Sequence, residues 1–465
     1  MSIASTAVST RLGEIAGASN VVAEPAQLAA YQIDGQIPGA AVRPGSVQEV
    51  SEIVKFAAAE KLAVVPSGGR TKLAMGMPLR KYDVVLDMTR LDRLAAYDPA
   101  DLTLGVEPGI PLQRLAGVLA GHKQFLPLAV PFLSRATAGG TIASGVDSPL
   151  RQFYGTARDF VLGMEFVTGE GAPAKSGGRV VKNVSGYDLH KLLIGSAGTL
   201  GVITRINFRT FPLPVATRAF AAICASSDQA FDLRQRVAQS PLRPLTIEIL
   251  SPGTVELLSS EVAARIEPGT IPVDRPAKDR WVFSTSFAGH EKTLERCARE
   301  LSRMADASGA THISVFGEEK FPAALARQRE FIPIALESSA VTTIVKLSVL
   351  PARMNEIVAA VARAAEGNEL HWAALARGVG VIYVALLAHA LDEDSRRRVA
   401  SVTEEISAAC THLGGNFSVP CCPAKWKPTL KMGGPQRSDF PLIQKLKNVF
   451  DPHGILSPGR GPGGL

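Results

Sequence analysis

Three clusters of glycine and hydroxyl residues mark places where bare backbone could meet a ligand. The first, Ser67-Gly-Gly-Arg-Thr-Lys72, directly follows the strand-like run Lys61-Leu-Ala-Val-Val-Pro66. Successive N–H groups in such a turn form an anion-binding nest, and Arg70 and Lys72 add positive charge. The second, Arg135-Ala-Thr-Ala-Gly-Gly-Thr-Ile-Ala-Ser-Gly145, has the same small, hydroxyl-rich character. The third spans 177–213, with glycines at 177, 178, 186, 195, 198 and 201. Within it, 188–194 reads as a short amphipathic helix, and VITRINF after Gly201 alternates like a half-buried strand. Glycine permits both close backbone approach and positive φ. Singly, each cluster reads equally well as an ordinary turn. Together they point to one large phosphate-bearing ligand held by several segments.

The familiar nucleotide fingerprints are missing. Gly195-Ser-Ala-Gly-Thr-Leu-Gly201 lacks the lysine of a P-loop, and the GxGxxG at Gly459, Gly461 and Gly464 has no helix after it. The five cysteines (Cys224, Cys297, Cys410, Cys421, Cys422) form no CxxC pair, which argues against zinc or an iron–sulfur cluster, and no metal site is expected. Such a sparse set fits reduced thiols in a cytoplasmic protein. The adjacent Cys421-Cys422 reads as buried small hydrophobes more readily than as a redox pair.

The order of PSGGRTK, RATAGGTIASG, YGTARDFVLGMEFVTGEG, VKNVSGYDLHKLLIGSAGTLGVI and FDPHGILSPGR resembles the FAD-linked oxidases of the vanillyl-alcohol oxidase (PCMH) type. Within that superfamily the wording GGRVVKNVSGYDLHKLL is similar to the FAD-binding subunits of bacterial glycolate oxidases. The resemblance implies FAD, its pyrophosphate on the backbone of Gly68, Gly69, Arg70, Thr71 and Lys72. It assigns a second contact segment to Thr137, Gly140, Thr141 and Gly145. Gly186, Tyr187, Asp188, Gly198, Leu200, Gly201 and Ile203 match the segment around the ribityl chain and isoalloxazine. Some members tether the flavin through a histidine where this chain has Arg70, and 35–214 holds no cysteine, so non-covalent FAD is expected. At the last motif, Ser457 stands where the family has asparagine.

For chemistry, oxidation of a 2-hydroxy acid needs a cation for the carboxylate and a base for the hydroxyl proton. Lys346-Leu-Ser-Val-Leu-Pro351 resembles the segment in which related catalytic subunits place the carboxylate-binding cation, making Lys346 the catalytic candidate; otherwise it is a lysine snorkelling at a strand end. Those relatives also carry clustered histidines. Here eight histidines include no HxH or HH pair, and His371 and His412 stand alone.

Three readings follow. The first is the FAD-binding subunit of a glycolate- or D-lactate-oxidising complex, working beside a second flavoprotein and an iron–sulfur subunit. The second is a self-sufficient FAD oxidoreductase acting on another 2-hydroxy acid or alcohol. The third is a flavin-binding scaffold without chemistry of its own. The missing histidine cluster weighs against the second. Residues 425–460 carry Lys425, Lys427, Lys431, Arg437, Lys445, Lys447 and Arg460 against Asp439 and Asp451. That basic run suits an acidic partner, an anionic substrate or a membrane surface, and equally a solvated helix face. Without a recognisable binding module, nucleic acid is not expected. The longest apolar run, 379–391, is too short to span a bilayer, and residues 1–20 lack the apolar core of a signal peptide. The location implied is cytoplasmic, free or held at the inner face of the cell membrane through partners.

The elements that must position these residues read as an α+β chain. The resemblance implies a lead-in over 1–34, a two-part FAD domain over 35–214, an α+β substrate cap over 215–435 and a returning segment over 436–465. Ser46-Val-Gln-Glu49 is a capping-box signature for a helix to about residue 60, and Pro111 opens another to 121. Strands are expected at 63–66, 84–87, 102–107 and 160–168, then at 245–250, 281–287, 312–315, 341–349 and 379–387. Helices fill 291–308, 353–365, 393–413 and 438–448, and residues 267–276 form a surface loop. The cap should be an antiparallel sheet with helices on one face.

Overall fold

The computed structural model of the protein describes residues 3–179, 186–268, 279–316 and 321–465. Most of the expected 267–276 loop lies outside them. The predicted helix at Ser46 forms as Val47–Ala59. Ser46 Oγ accepts from Glu49 N at 3.1 Å, and the Glu49 carboxylate accepts from Gly45 N at 2.8 Å. That closes the first turn from both sides. Its buried stripe of Val50, Ile53, Val54 and Ala57 packs on a four-stranded sheet ordered Val21–Val22, Ala40–Val42, Val84–Asp87, Val64–Ser67. The last three of these strands are parallel.

A second, antiparallel sheet runs Leu94–Asp98, Thr103–Val106, Val202–Arg209, Val161–Val167, Pro173–Gly177. Against it lies Leu112–Ala120, with Pro111 at the N-cap and not inside the first turn as predicted. The second glycine cluster is also not a loop. It winds into the helix Ala138–Ser144, capped by Thr137 Oγ1 and ended by Gly145 in the left-handed region.

Among the described residues, eight strands form one antiparallel sheet. Their order is His312–Phe316, Thr217–Cys224, Trp281–Ala288, Thr246–Leu250, His371–Arg377, Val381–Leu387, Thr342–Ser348, Asn416–Cys421. Four long helices, Ser227–Gln239, Glu291–Ala307, Met354–Gly367 and Glu393–His412, cover one face. The opposite face is not bare, as a one-sided cap would leave it. Pro252–Leu258 and Phe331–Ser338 bury Val255, Leu258, Phe331 and Ile334 there. The strand residues show why: Ile382, Val384 and Leu386 face the long helices, while Val381, Tyr383 and Ala385 face the other way, both sets apolar enough to need cover. The chain then returns through Phe440–Phe450 to the first sheets, where Leu456 pairs with Val64.

Candidate active site and cofactor cavity

A cavity of about 840 Å3 lies between the glycine clusters and the uncovered part of the eight-stranded sheet. Its first wall is backbone. Strand Val64–Ser67 delivers the chain into residues 67–77, where Arg70 holds φ 58°. Among the described residues, no acceptor meets the N–H groups from Gly69 to Ala74. Only glycine fits at 69, because a Cβ there would lie 1.7 Å from the Arg135 carbonyl oxygen. The first and second clusters are thus pressed backbone to backbone. The third joins them through Gly195 N to Ile142 O at 3.0 Å and Ala197 N to Ala143 O at 2.7 Å. Buried hydroxyls of Ser67, Thr141 and Ser457 have no protein partner, a state that usually signals a missing ligand or water.

The facing wall is made of side chains. On Thr342–Ser348, Val345 and Leu347 point into the helix layer, so the strand's alternation sends Lys346 to the cavity. Tyr383 is its direct partner on Val381–Leu387, and Ser418 its partner on the other side; both also border the cavity. Lys346 Nζ lies 5.8 Å from the Tyr383 ring centre, and the Arg377 guanidinium 5.3 Å from the same ring. Arg377 is buried, 2.8 Å from Asp147 and 3.4 Å from Glu248. Burial works against its charge, but Asp147, Tyr383 and Glu248 outweigh burial and hold the guanidinium above its ordinary value. Burial would likewise raise Asp147; Arg377, Arg151 and Lys346 together bring it below the usual carboxylate range. Burial pushes Glu248 up. Asp147 follows the second glycine cluster, so this pair ties the two walls together.

The charge of the cavity is one-sided. Arg70, Lys72, Lys346, Arg437 and Arg460 border it, with no aspartate or glutamate among the described lining residues. Burial lowers the Lys72 ammonium to about 8, with only Glu330 pulling the other way. A depressed lysine, unpaired N–H groups and the orphaned Ser67 hydroxyl on one surface suit a phosphate-bearing anion.

Of the residues singled out in the sequence, 68–72, Thr137, Gly140, Gly145, Gly198, Gly201, Ile203 and Lys346 border this cavity. Thr141 sits behind Gly140, and Leu200 packs into the core of the second sheet. Gly186, Tyr187 and Asp188 stand apart. Tyr187 is 89% exposed, its carbonyl accepts from Ser176 Oγ, and Asp188 pairs outside with Lys191. The reason is local: His190 and Leu193 of the one-turn helix His190–Leu193 are buried beneath the second sheet, which swings the preceding residues onto its edge strand. The wording that carried the resemblance continues through 180–185, outside the described residues. Sequence reasoning missed Tyr383, Arg377 and Asp147, which only the register of distant strands brings together. Cys421 and Cys422 carry thiols pushed up to about 12 by burial, as inert small hydrophobes would.

The basic run 425–460 divides in two. Lys425, Lys431, Arg437 and Lys445 are exposed, but Lys427, Lys447 and Arg460 turn inward. Lys447, expected on a docking face, instead bonds Asp451, Thr199 O and Leu456 O. The helix Phe440–Phe450 turns Lys447 to its buried side and Lys445 to solvent, so it cannot present all its charge outward.

Two family models cover the chain. Residues 38–176 match an FAD binding domain, and 213–419 with 433–460 match the C-terminal domain of FAD linked oxidases. The chain belongs to the FAD-linked oxidases. This FAD-linked oxidase is therefore an oxidoreductase, with FAD as its cofactor. It is 25% identical to glycolate oxidase subunit GlcD of Bacillus subtilis over 97% of this chain and 96% of that one. D-2-hydroxyglutarate dehydrogenase of Xanthomonas citri pv. viticola is 29% identical, over 94% and 93%. Glycolate oxidase subunit GlcE of Escherichia coli is 34% identical over 43% of this chain and 56% of its own length. The fold is that of p-cresol methylhydroxylase with substrate bound, with a TM-score of 0.78 at 17% identity over 99% and 97% of the two chains. The vanillyl-alcohol oxidase-type architecture expected from the motifs is thereby established.

Proposed function

We propose that this FAD-linked oxidase is the FAD-binding subunit of a complex that oxidises a 2-hydroxy acid such as glycolate or D-lactate to the 2-oxo acid. The observation that carries the reading is the charge of the cavity, with five cations and no carboxylate on its described lining. Residues 68–72, Thr137 and Gly140 would hold the pyrophosphate, with Lys72 and Arg70 supplying charge. Gly145, Gly198, Gly201 and Ile203 would border the rest of the cofactor, held non-covalently; among the described residues no histidine or cysteine lines the cavity. When bound, FAD supplies the acceptor for a hydrogen and its electron pair. Lys346 would receive the substrate carboxylate as a charge-assisted hydrogen bond. Ser418 and Tyr383 beside it offer hydroxyls that can orient the alcohol.

Support for partners comes from the relatives named as glycolate oxidase subunits. A second flavoprotein and an iron–sulfur subunit would complete the path for electrons, docking on exposed Lys425, Lys431, Arg437 and Lys445. No described helix is long and apolar enough to cross a membrane; we place the complex in the cytoplasm, free or at the inner membrane face through its partners. A self-sufficient enzyme is the second reading, favoured by the Tyr383 phenol beside Lys346, a polar group where no histidine is available. Anaerobic bleaching of bound flavin by glycolate, D-lactate and D-2-hydroxyglutarate, with and without the partner proteins, decides between them. Rapid bleaching by the chain alone supports the second reading. Bleaching that requires partners supports the first, and Lys346→Gln should then raise KM by about 10–100-fold, the loss of a bond to a charged group. No bleaching under any condition would refute both.

A further inference from the structure

Two inward cations from the returning segment act on one loop. Arg460 donates to the carbonyls of Leu73 at 2.7 Å, Met77 at 3.4 Å and Met75. Lys427 donates to Ala74 O at 2.7 Å and pairs with Asp34. Just before and overlapping that stretch, the N–H groups from Gly69 to Ala74 have no acceptor among the described residues, whereas Met75 N donates to Lys72 O and Gly76 N to Pro420 O. The carbonyls of the loop's second half are held by the two cations, while the donors of its first half are left unpaired. Arg460 itself makes no direct ion pair among the described residues; burial pushes its pKa down, and Asp34, already paired with Lys427, pulls the other way. By contrast, Lys447 holds a carbonyl of the third cluster but is neutralised by Asp451. A clamp serving the fold alone would be expected to carry such a partner, since a buried uncompensated charge is costly. Arg460 has no carboxylate in direct contact among the described residues and borders the cavity.

We propose that Arg460, assisted by Lys427, is a positioning residue for FAD. It fixes the carbonyls of residues 73–77, the far arm of the loop, so that the N–H groups of 69–74 are held in place before the cofactor arrives, and it brings a positive charge with no carboxylate in direct contact. The inference rests on the reading that residues 68–72 hold the pyrophosphate. Preorganised donors cost no reordering on binding, and a bond from a charged group is worth more than a neutral one.

The test titrates FAD into flavin-free full-length protein by calorimetry and follows hydrogen exchange of the 69–77 amides without flavin. Arg460→Gln should raise the FAD Kd by about 10–100-fold and speed exchange across the loop, and Arg460→Lys should recover part of both. Lys427→Met should speed exchange at the same amides with a smaller change in Kd. If Gly69→Val leaves FAD binding intact, the underlying seat is wrong. If Gly69→Val abolishes binding while Arg460→Gln matches wild type in Kd and exchange, the seat stands and the positioning role falls. Should Arg460→Gln not fold, Arg460→Lys decides: intermediate Kd and exchange support the role, and wild-type values in both overturn it.

Discussion

The two walls of the cavity are built by opposite means. One is peptide backbone brought close by glycines, in which side chains are mostly absent and the recognising groups are N–H donors. The other is a sheet surface, in which the backbone is engaged in strand pairing and Lys346, Tyr383 and Ser418 stand out from adjacent strands. The first suits a part that never changes, the phosphate. The second can vary residue by residue without disturbing the fold, as a substrate surface must. Specificity within such an architecture belongs to the sheet and retention to the loops.

The joint between the walls is where the division is easiest to break. Asp147→Ala leaves Arg377 with only Glu248, whose carboxyl is driven towards its neutral form, and should lower unfolding stability by about 3–5 kcal/mol. Urea midpoints would show it. Because Asp147 is held below its ordinary pKa, its contribution is complete above about pH 4 and lost as pH falls through the folded value. The difference between Asp147→Asn and wild type should therefore shrink in acid. A constant difference would argue against ionisation as the source.

Next in size is the backbone wall. Gly69→Val should weaken FAD binding by about 2–3 kcal/mol, roughly 100-fold, whereas a change on the sheet wall, such as Lys346→Gln, should leave FAD affinity unaltered. Equal flavin loss in both would erase the distinction between the walls. A sharper probe is Lys72, lowered to about 8 by burial in the flavin-free protein. An anion beside it would restore the charged form, so binding takes up a proton above that pH. FAD Kd should rise by up to about tenfold per unit as pH passes 8, and Lys72→Met should flatten the profile. The smallest effect belongs to the surface. Lys445→Glu should weaken partner assembly by less than about 1 kcal/mol, and only at low salt, while Lys447→Glu should damage the fold itself.

The backbone wall was the more legible in sequence because its signal is residue type. Gly68-Gly69 after a strand, and the small, hydroxyl-rich run from Thr137 to Gly145, are local statements of residue type, and both segments lie on the cavity, although the second is a short helix and not the turn expected. The strands at 84–87 and 281–287 were likewise clear from apolar runs bounded by turns. Tyr383 could not be found that way. Its position depends on pairing Lys346 with a residue 37 places along, and its neighbour Arg377 on an ion pair spanning 230 residues. The strand His371–Arg377 and the helix Ser227–Gln239 were missed, the helix although Ser226-Ser-Asp-Gln229 is a capping-box signature whose Ser226 hydroxyl accepts from Gln229 N. Gly186, Tyr187 and Asp188 do not border the described cavity. Their wording is distinctive, yet a buried helical turn immediately after them carries them to an outer edge.

The grip of Arg460 on Leu73 has a temporal consequence. The two residues are 387 positions apart, so at synthesis rates of about 5–20 residues per second, roughly 20–80 s pass between the emergence of the loop and that of the arginine. Throughout that interval water must serve the carbonyls the guanidinium will take. On the positioning role proposed for Arg460, cofactor loading in the cell waits for the returning segment, and a nascent chain holding only the glycine clusters would be a poor competitor for free flavin.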